Sequence, residues 1–322
     1  MSLVTSAATN KMQWNAADYA ANSAVQQSWA REVIAKLHLR GDEHVLDVGC
    51  GDGKVTAELA RAVPHGSVVG TDASAEMIAF AKKSFPPSKI PGLRFEICDA
   101  RAMETAIVVR PERRAPSRHV GDGSLKQAGT VPGAPFDLVF SNAALHWVDD
   151  HEAILRGAAA VLKTGGRLVV SCGGKGNAHD VFLALRPEMR LKRWCKFFRR
   201  MPLPYHFYTP ENYEKWLPKF GFKINTLKLT PKDAAYDGAE GFATWLRTTW
   251  LPFVQRVPDV VGQASSLSSF RNTTGKMPVP LPSLREEFIA AVTTRYLAKH
   301  PPDKSGQVHV RMVRLEIEAV KI

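Results

Sequence analysis

Cysteine is scarce in this chain, which has only Cys50, Cys98, Cys172 and Cys195 among 322 residues. These form no CxxC pair and no cluster with histidine at zinc-ligand spacing, which excludes the common structural zinc sites. Isolated cysteines of this kind are typical of reduced thiols in a cytoplasmic protein. We therefore expect a cytoplasmic protein without disulfides and without a bound metal.

Long apolar runs are also absent. No stretch reaches the roughly 18 uncharged apolar residues that a membrane span requires, and Met1–Asn10 lacks the basic start and apolar run of a secretory leader. With 45% hydrophobic residues, the chain can still build a sizeable core. Its net charge of +12 predicts a basic surface, which suits anionic substrates, nucleic acid or an anionic lipid face.

Two segments lack any helical or strand repeat. Residues 110–135 and 258–282 are rich in proline, glycine and serine, a composition that is poor at forming a core. We interpret both as flexible insertions with little function.

Elsewhere, short apolar strands alternate with helical stretches through the first half of the chain, from Ser23 to Cys172. This alternation predicts an α/β fold with a parallel sheet covered on both faces. In the second half, helical stretches stand between two late strands. We expect residues 1–175 to form the ligand-binding core, and residues 176–322 to form a helical cap plus the last two strands.

The segment that points to chemistry is Val45–Gly53, a strand followed by a Gly-x-Gly-x-Gly turn and a helix. Glycines let a ligand approach the backbone closely, and the start of a helix offers free N–H groups to a carboxylate. Asp72, at the end of the second strand, suits the two hydroxyls of a ribose. The dinucleotide fingerprint Gly-x-Gly-x-x-Gly is not matched, because Lys54 stands at its third glycine. A turn that serves only a tight strand-to-helix connection is the remaining alternative.

Residues Leu46–Gly53 resemble motif I of class I S-adenosylmethionine-dependent methyltransferases, and Phe136–Asn142 resembles their fourth strand. The similarity covers about Trp14–Cys172. It implies a doubly wound, seven-stranded, mostly parallel Rossmann-like sheet with a helical substrate cap, and S-adenosylmethionine as cofactor. The cofactor-binding residues that it implies are Tyr19, Asp47, Gly49, Cys50, Gly51, Asp72, Ala73, Asp99, Ala100 and Asn142.

Residues Ser141–Trp147 narrow the resemblance to the branch that contains trans-aconitate 2-methyltransferase. Within it, His146 is the candidate catalytic residue, as a base or as a hydrogen-bond donor to the substrate, because its ordinary pKa suits either role. Packing alone would also explain this histidine. Trp147 is predicted to line the substrate pocket, although a tryptophan is as easily part of a core.

Candidate substrate residues also occur in the second half. Trp245 and Arg247 lie on a helical stretch with further aromatic residues, for which core packing is the alternative, and the run Tyr205–Tyr208 is expected to join the same wall. Seven cations are interleaved with aromatic residues: Arg186, Arg190, Lys192, Arg193, Lys196, Arg199 and Arg200. This cluster is either a solvated face or a site for substrate carboxylates, an acidic carrier protein or nucleic acid.

We therefore predict methyl transfer from S-adenosylmethionine to a small acidic molecule, with a carboxylate as acceptor and a methyl ester as product. Methylation of a carrier-bound or hydroxylated small molecule is the alternative within enzymes. RNA methylation, or cofactor binding without catalysis, is the alternative of another class, and the lack of a known RNA-binding module disfavours nucleic acid. We expect a monomer with an acyl carrier protein as a possible partner.

Overall fold

The computed structural model describes residues 24–108, 136–260 and 282–322. Tyr19 and nearly all of the predicted insertions at 110–135 and 258–282 lie outside the described residues. The described residues fall into two compact units. The sheet unit comprises residues within 23–177, 205–232 and 312–322, and the helical unit comprises residues within 178–204 and 233–311.

Strands and helices alternate in the sheet unit as the sequence predicts. In chain order the elements are α1 (Ala24–Ala35), β1 (His44–Val48), α2 (Lys54–Ala62), β2 (Ser67–Asp72), α3 (Ala75–Ser84), β3 (Leu93–Ile97), α4 (Met103–Val108), β4 (Phe136–Asn142), α5 (His151–Val161) and β5 (Leu162–Gly173). The later elements are α6 (His179–Arg190), α7 (Pro210–Trp216), β6 (Phe222–Asp237), α8 (Gly238–Thr249), α9 (Leu251–Val254), α10 (Leu284–Leu297) and β7 (Gln307–Lys321).

The seven strands form one sheet in the order β3-β2-β1-β4-β5-β7-β6. The first five are parallel to one another, and β7 runs antiparallel to β5. This confirms the predicted doubly wound, mostly parallel fold. The strand order reverses between β1 and β4, and in such sheets ligands bind at the carboxyl ends of the strands at this reversal.

The core covers both faces of the sheet because neighbouring strand residues point to opposite sides. Leu46 and Val139 belong to one buried cluster and Val45 and Leu138 to the other, and each of the four is at most 2% exposed. A strand buried on both faces has no polar alternation, which is why β1 reads as an apolar run.

The helical unit differs from the sequence prediction at one point. The sequence predicts a helical stretch over Asp180–Arg200 that Pro187 kinks or splits. In the structure α6 contains Pro187 and ends at Arg190, and a 3-10 turn over Cys195–Phe197 follows. The chain turns there so that Trp194 and Phe198 pack against Phe288, with ring centroids 5.4 and 5.2 Å apart. The basic cluster therefore does not lie along one helix.

Candidate active site

The glycine turn follows β1 at the point where the strand order reverses. Gly49, Gly51 and Gly53 have φ angles of 76°, 53° and 82°, in the left-handed region that side chains disfavour. A Cβ on Gly49 would lie 2.2 Å from the Cβ of Ala144, which follows β4. A Cβ on Gly53 would lie 2.8 Å from Cζ of Phe95. Neighbouring residues of the protein therefore leave no room for a side chain at Gly49 or Gly53.

Asp72, at the carboxyl end of β2, is tied to this turn. Its Oδ2 accepts a hydrogen bond from the Gly51 N–H at 3.1 Å, and its Oδ1 accepts one from the Ser74 N–H at 2.8 Å. Burial raises the pKa of this carboxyl. Each oxygen keeps a second lone pair, so the carboxylate can also accept hydrogen bonds from two neighbouring hydroxyls. The exposed Ala73 follows it directly.

Asp99 lies at the carboxyl end of β3, beside the half-buried Ala100. Its Oδ2 accepts a hydrogen bond from Nη2 of Arg101 at 2.7 Å, while Nη1 of the same guanidinium donates to Asp149 at 3.0 Å. The hydrogen bond from Arg101 lowers the pKa of Asp99, which keeps this carboxylate ionised. Arg101 thus joins the loop after β3 to the loop after β4, a link that the sequence did not reveal.

The segment after β4 carries His146. Asn142 ends the strand, and Ala143 adopts the left-handed region with φ 54° while its N–H donates to Ser171 O at 2.7 Å. A 3-10 turn over Leu145–Trp147 follows. A non-glycine residue in this region is strained, and strained residues cluster at functional sites. No feature of the sequence predicts this strain at Ala143.

His146 is held as a neutral ring with a defined tautomer. Its Nδ1 accepts a hydrogen bond from the Gly173 N–H at 3.3 Å, so the proton of the neutral imidazole lies on Nε2. Burial, with a further contribution from His151, lowers the pKa of His146 to about 4. The ring is therefore uncharged at neutral pH, and its Nε2–H is a hydrogen-bond donor.

Aromatic side chains surround His146. The centroid of its ring lies 5.5 Å from that of Trp147, 6.1 Å from Tyr205 and 6.0 Å from Phe207. Trp147 and Tyr205 are closer still, at 4.6 Å, and Tyr205 stacks on Phe207. The rings of Trp147, Tyr205 and Phe207 therefore lie around the candidate catalytic histidine, and a role for them as substrate contacts stays a prediction.

A family described as "Methyltransferase domain" matches residues 39–219, which is more than half of the chain and includes every feature above. The chain belongs to this family. It is a class I S-adenosylmethionine-dependent methyltransferase, an enzyme whose cofactor is S-adenosylmethionine, as the resemblance of Leu46–Gly53 and Ser141–Trp147 predicted.

Individual relatives agree with this assignment. An uncharacterized methyltransferase of Schizosaccharomyces pombe is 29% identical over 215 residues, which are 66% of this chain and 71% of the relative. A trans-aconitate 2-methyltransferase of Deinococcus radiodurans is 28% identical over 298 residues, 90% of this chain and 99% of the relative. The solved YcgJ protein of Bacillus subtilis has a TM-score of 0.53 at 16% identity, covering 91% of this chain and 97% of that one, and shows the same fold.

Two predicted cofactor residues of the methyltransferase lie beneath the glycine turn. Asp47 is 2% exposed and accepts a hydrogen bond from Oγ1 of Thr56 at 2.7 Å. Burial raises its pKa to about 7, the Thr56 hydrogen bond opposes this shift, and the charge of Asp72 adds to it. Burial also raises the pKa of the Cys50 thiol. The backbone N–H of Cys50 donates to Thr71 O at 2.9 Å. Both residues support the turn from within.

Asp47 predicts a pH dependence of stability. The folded carboxyl holds its proton up to about pH 7, whereas in the unfolded chain it is released near pH 4. The folded state therefore binds more protons in this window, so its stability falls as the pH rises from about 4 to 7, by about 4 kcal/mol at most, and is flat above it. Asp47→Asn removes this loss, because a neutral amide can still accept the Thr56 hydrogen bond.

Urea unfolding of the cofactor-free protein at pH 5 and pH 8 measures this effect. The difference in unfolding free energy between Asp47→Asn and the parent protein should favour the variant more at pH 8, and the titrations of groups that do not interact with Asp47 cancel in that difference. An equal difference at the two pH values contradicts the assignment of a protonated, buried Asp47.

The predicted substrate residues of the helical unit have partners within that unit. Trp245 is 4% exposed and stacks on Tyr236 with centroids 5.0 Å apart. Arg247 donates to Glu286 at 2.7 Å and to Glu240 at 2.8 Å. Their role as substrate contacts stays a prediction.

Within the described ranges, no helix combines the length and apolar character needed to cross a membrane. In the same ranges, no three histidine, cysteine or acidic side chains come together as metal ligands would.

Proposed function

We propose that this methyltransferase methylates the carboxylate of a small anionic molecule and releases a methyl ester. The observation that carries the proposal is the state of His146: a neutral ring whose Nδ1 is engaged by the Gly173 N–H and whose Nε2 bears the proton. Such a ring can donate a hydrogen bond to an anionic oxygen but is a poor proton acceptor. Relatives named trans-aconitate 2-methyltransferases support an acid as acceptor.

The residues at the strand reversal fit the cofactor. Gly49 and Gly51 present backbone without side chains to the amino-acid end of the cofactor. Their N–H groups hold the turn in place, since they donate to Thr71 O at 2.7 Å and to Asp72 Oδ2 at 3.1 Å. The Asp72 carboxylate can accept hydrogen bonds from both ribose hydroxyls, and the ionised Asp99 can accept one from the adenine amino group. We assign Ala73, Ala100 and Asn142 to the rim of this site, and Asp47 and Cys50 to its support.

The chemistry needs little from the protein beyond position. Bound S-adenosylmethionine supplies a methyl group on a positively charged sulfur. A carboxylate is ionised at neutral pH, so its oxygen attacks without losing a proton, and the site requires no base. His146 orients the acceptor by donating from Nε2 to the carboxylate oxygen that does not attack. Alignment of this kind can supply up to about 7–11 kcal/mol of barrier lowering.

The test is transfer of tritiated methyl from labelled S-adenosylmethionine to a panel of small acids, alcohols and amines. We expect label only with the acids, and we expect mild base to release it as methanol, because esters hydrolyse where ethers and N-methyl groups do not. Base-stable label, or label on a carrier-bound or hydroxylated acceptor alone, rejects carboxylate methylation.

A further inference from the structure

His151 lies at the start of α5, buried to 2% exposure, and both of its ring nitrogens are hydrogen-bonded. Nε2 donates to the carbonyl oxygen of Leu145 at 2.8 Å, and Nδ1 accepts from the hydroxyl of Tyr213, which is 1% exposed. Burial lowers the pKa of His151 to about 4, so the ring is neutral. A neutral histidine can satisfy this donor and acceptor pair in only one tautomer.

The carbonyl that His151 holds belongs to the residue directly before His146. Two backbone hydrogen bonds close the 3-10 turn over Leu145–Trp147, from the Trp147 N–H to Ala144 O at 3.0 Å and from the Val148 N–H to Leu145 O at 2.9 Å. The Leu145 carbonyl therefore accepts two hydrogen bonds, one within the turn and one from His151 that ties the turn to the start of α5.

Two further bonds to this region come from the segment that contains Tyr213. The His206 N–H donates to the carbonyl oxygen of His146 at 2.8 Å. The hydroxyl of Tyr208 donates to the carbonyl oxygen of Asp149 at 2.6 Å. Three backbone carbonyls around the His146 turn are thus bonded to groups that residues 205–213 hold in place.

Aromatic rings pack against His151. Its centroid lies 4.5 Å from that of Tyr208 in an edge-on contact and 6.4 Å from that of Trp216, and Tyr208 and Trp216 are also packed edge-on at 4.9 Å. A buried acceptor left without its donor costs about 1–3 kcal/mol, so loss of the Tyr213 hydroxyl would unsettle His151 rather than leave it unchanged.

We propose that His151 and Tyr213 are positioning residues for methyl transfer: together they hold the Leu145 carbonyl and so fix the place of the His146 Nε2–H. This inference rests on the proposed role of His146. It gives the segment at 205–213 a part in catalysis, although that segment lies after the first five strands and outside the cofactor motifs.

Tyr213→Phe is the first test, because it removes one hydroxyl and keeps the ring. We expect kcat with the acid acceptor to fall by about tenfold or more, while the Kd of S-adenosylmethionine changes by less than twofold. Tyr296→Phe is the matched control, since Tyr296 is also 1% exposed and its hydroxyl also donates to a backbone carbonyl, that of His309, at 2.8 Å. Equal losses of kcat in the two variants would mean that the effect is one of stability, and would overturn the proposal.

Two variants of His151 distinguish the contribution of its Nε2–H donor from that of its ring packing. His151→Gln offers an amide N–H near the position of Nε2 and should retain more kcat than His151→Ala at equal protein stability. A double-mutant cycle then measures coupling: Tyr213→Phe should lower kcat little further in a His146→Ala background. A full additional loss in that background refutes positioning through His146.

A readout without turnover separates this inference from the proposed function. In nitrogen-15 spectra of the histidines, the parent protein should show His146 protonated on Nε2, and Tyr213→Phe should shift its two nitrogen signals while Tyr296→Phe leaves them in place. Unmoved signals in Tyr213→Phe reject positioning whatever the substrate proves to be. Moved signals together with unchanged turnover in His146→Ala support positioning and reject instead the role proposed for His146.

Discussion

Gly49→Ala lowers the affinity for S-adenosylmethionine by at least about 100-fold, equivalent to about 2.7 kcal/mol, and destabilises the protein. The new Cβ would lie 2.2 Å from the Cβ of Ala144 at a backbone φ of 76°. The left-handed conformation costs an alanine about 1–2 kcal/mol, and overpacking adds about 1–3 kcal/mol. Because no two carbon atoms can remain so close, the glycine turn must move away from the segment after β4. We assign this turn to the cofactor site, so its displacement weakens cofactor binding.

Gly165→Ala is the matched control for this prediction. Gly165 has a φ of 80°, but a Cβ there would meet nothing within 4 Å, so the variant carries the conformational cost without the collision. Calorimetric titration with S-adenosylmethionine should show unchanged affinity for Gly165→Ala and severe loss for Gly49→Ala. Equal affinity in both variants would remove the Gly49 turn from the cofactor site.

A second substitution distinguishes two reasons for a glycine at position 49, which are packing against Ala144 and space for the cofactor. Ala144→Gly in the Gly49→Ala background removes the atom that the new Cβ meets. Urea unfolding should then show that most of the lost stability returns. If the affinity for S-adenosylmethionine stays low, the cofactor itself needs the space, whereas full recovery of affinity would assign Gly49 to packing alone.

The sheet was predictable because its signals are local. Strand β1 ends at Val48, directly before the glycine turn that the sequence predicts, since a run buried on both faces is bounded by polar residues and glycine. Residues 191–200 were predicted to be helical, as part of a stretch that Pro187 kinks or splits, but α6 ends at Arg190 because Trp194 and Phe198 pack against Phe288. That contact joins residues about ninety positions apart, and no window of sequence contains it.

In the candidate site, too, local features were predictable and contacts between distant residues were not. The glycine turn and Asp72 were predictable because each follows a strand at a spacing that the fold requires. The partners that give these residues their properties come from other strands: Ala144 opposes Gly49, and the Gly173 N–H selects the tautomer of His146. Sequence reasoning could therefore propose His146 as a base or as a donor, and only the geometry favours the donor.

His146→Ala should lower kcat by about 100-fold, the typical loss when one preorganised donor is removed from an active site, and should leave the Kd of S-adenosylmethionine unchanged. Since the pKa of His146 lies at about 4, the ring is neutral across the range in which the enzyme can be assayed. The kcat of the parent protein should accordingly be flat between about pH 6 and pH 9. A general base with a pKa of about 4 would give the same flat profile in this range, so the profile tests the neutral state of the ring and substitutions are needed to test hydrogen-bond donation.

Two amide substitutions at position 146 distinguish the donor from a base. The amide nitrogen of His146→Gln lies near the position of Nε2, so this variant should keep a substantial part of kcat, whereas the amide of His146→Asn lies near Nδ1 and should resemble alanine. An amide cannot accept a proton at neutral pH, so a base would lose the same activity in both variants. Steady-state rates that rank glutamine above asparagine and alanine establish hydrogen-bond donation from Nε2. Equal rates in the three variants would show that the methyl acceptor is oriented without the His146 ring. His146 would then have only a packing role, with its aromatic neighbours.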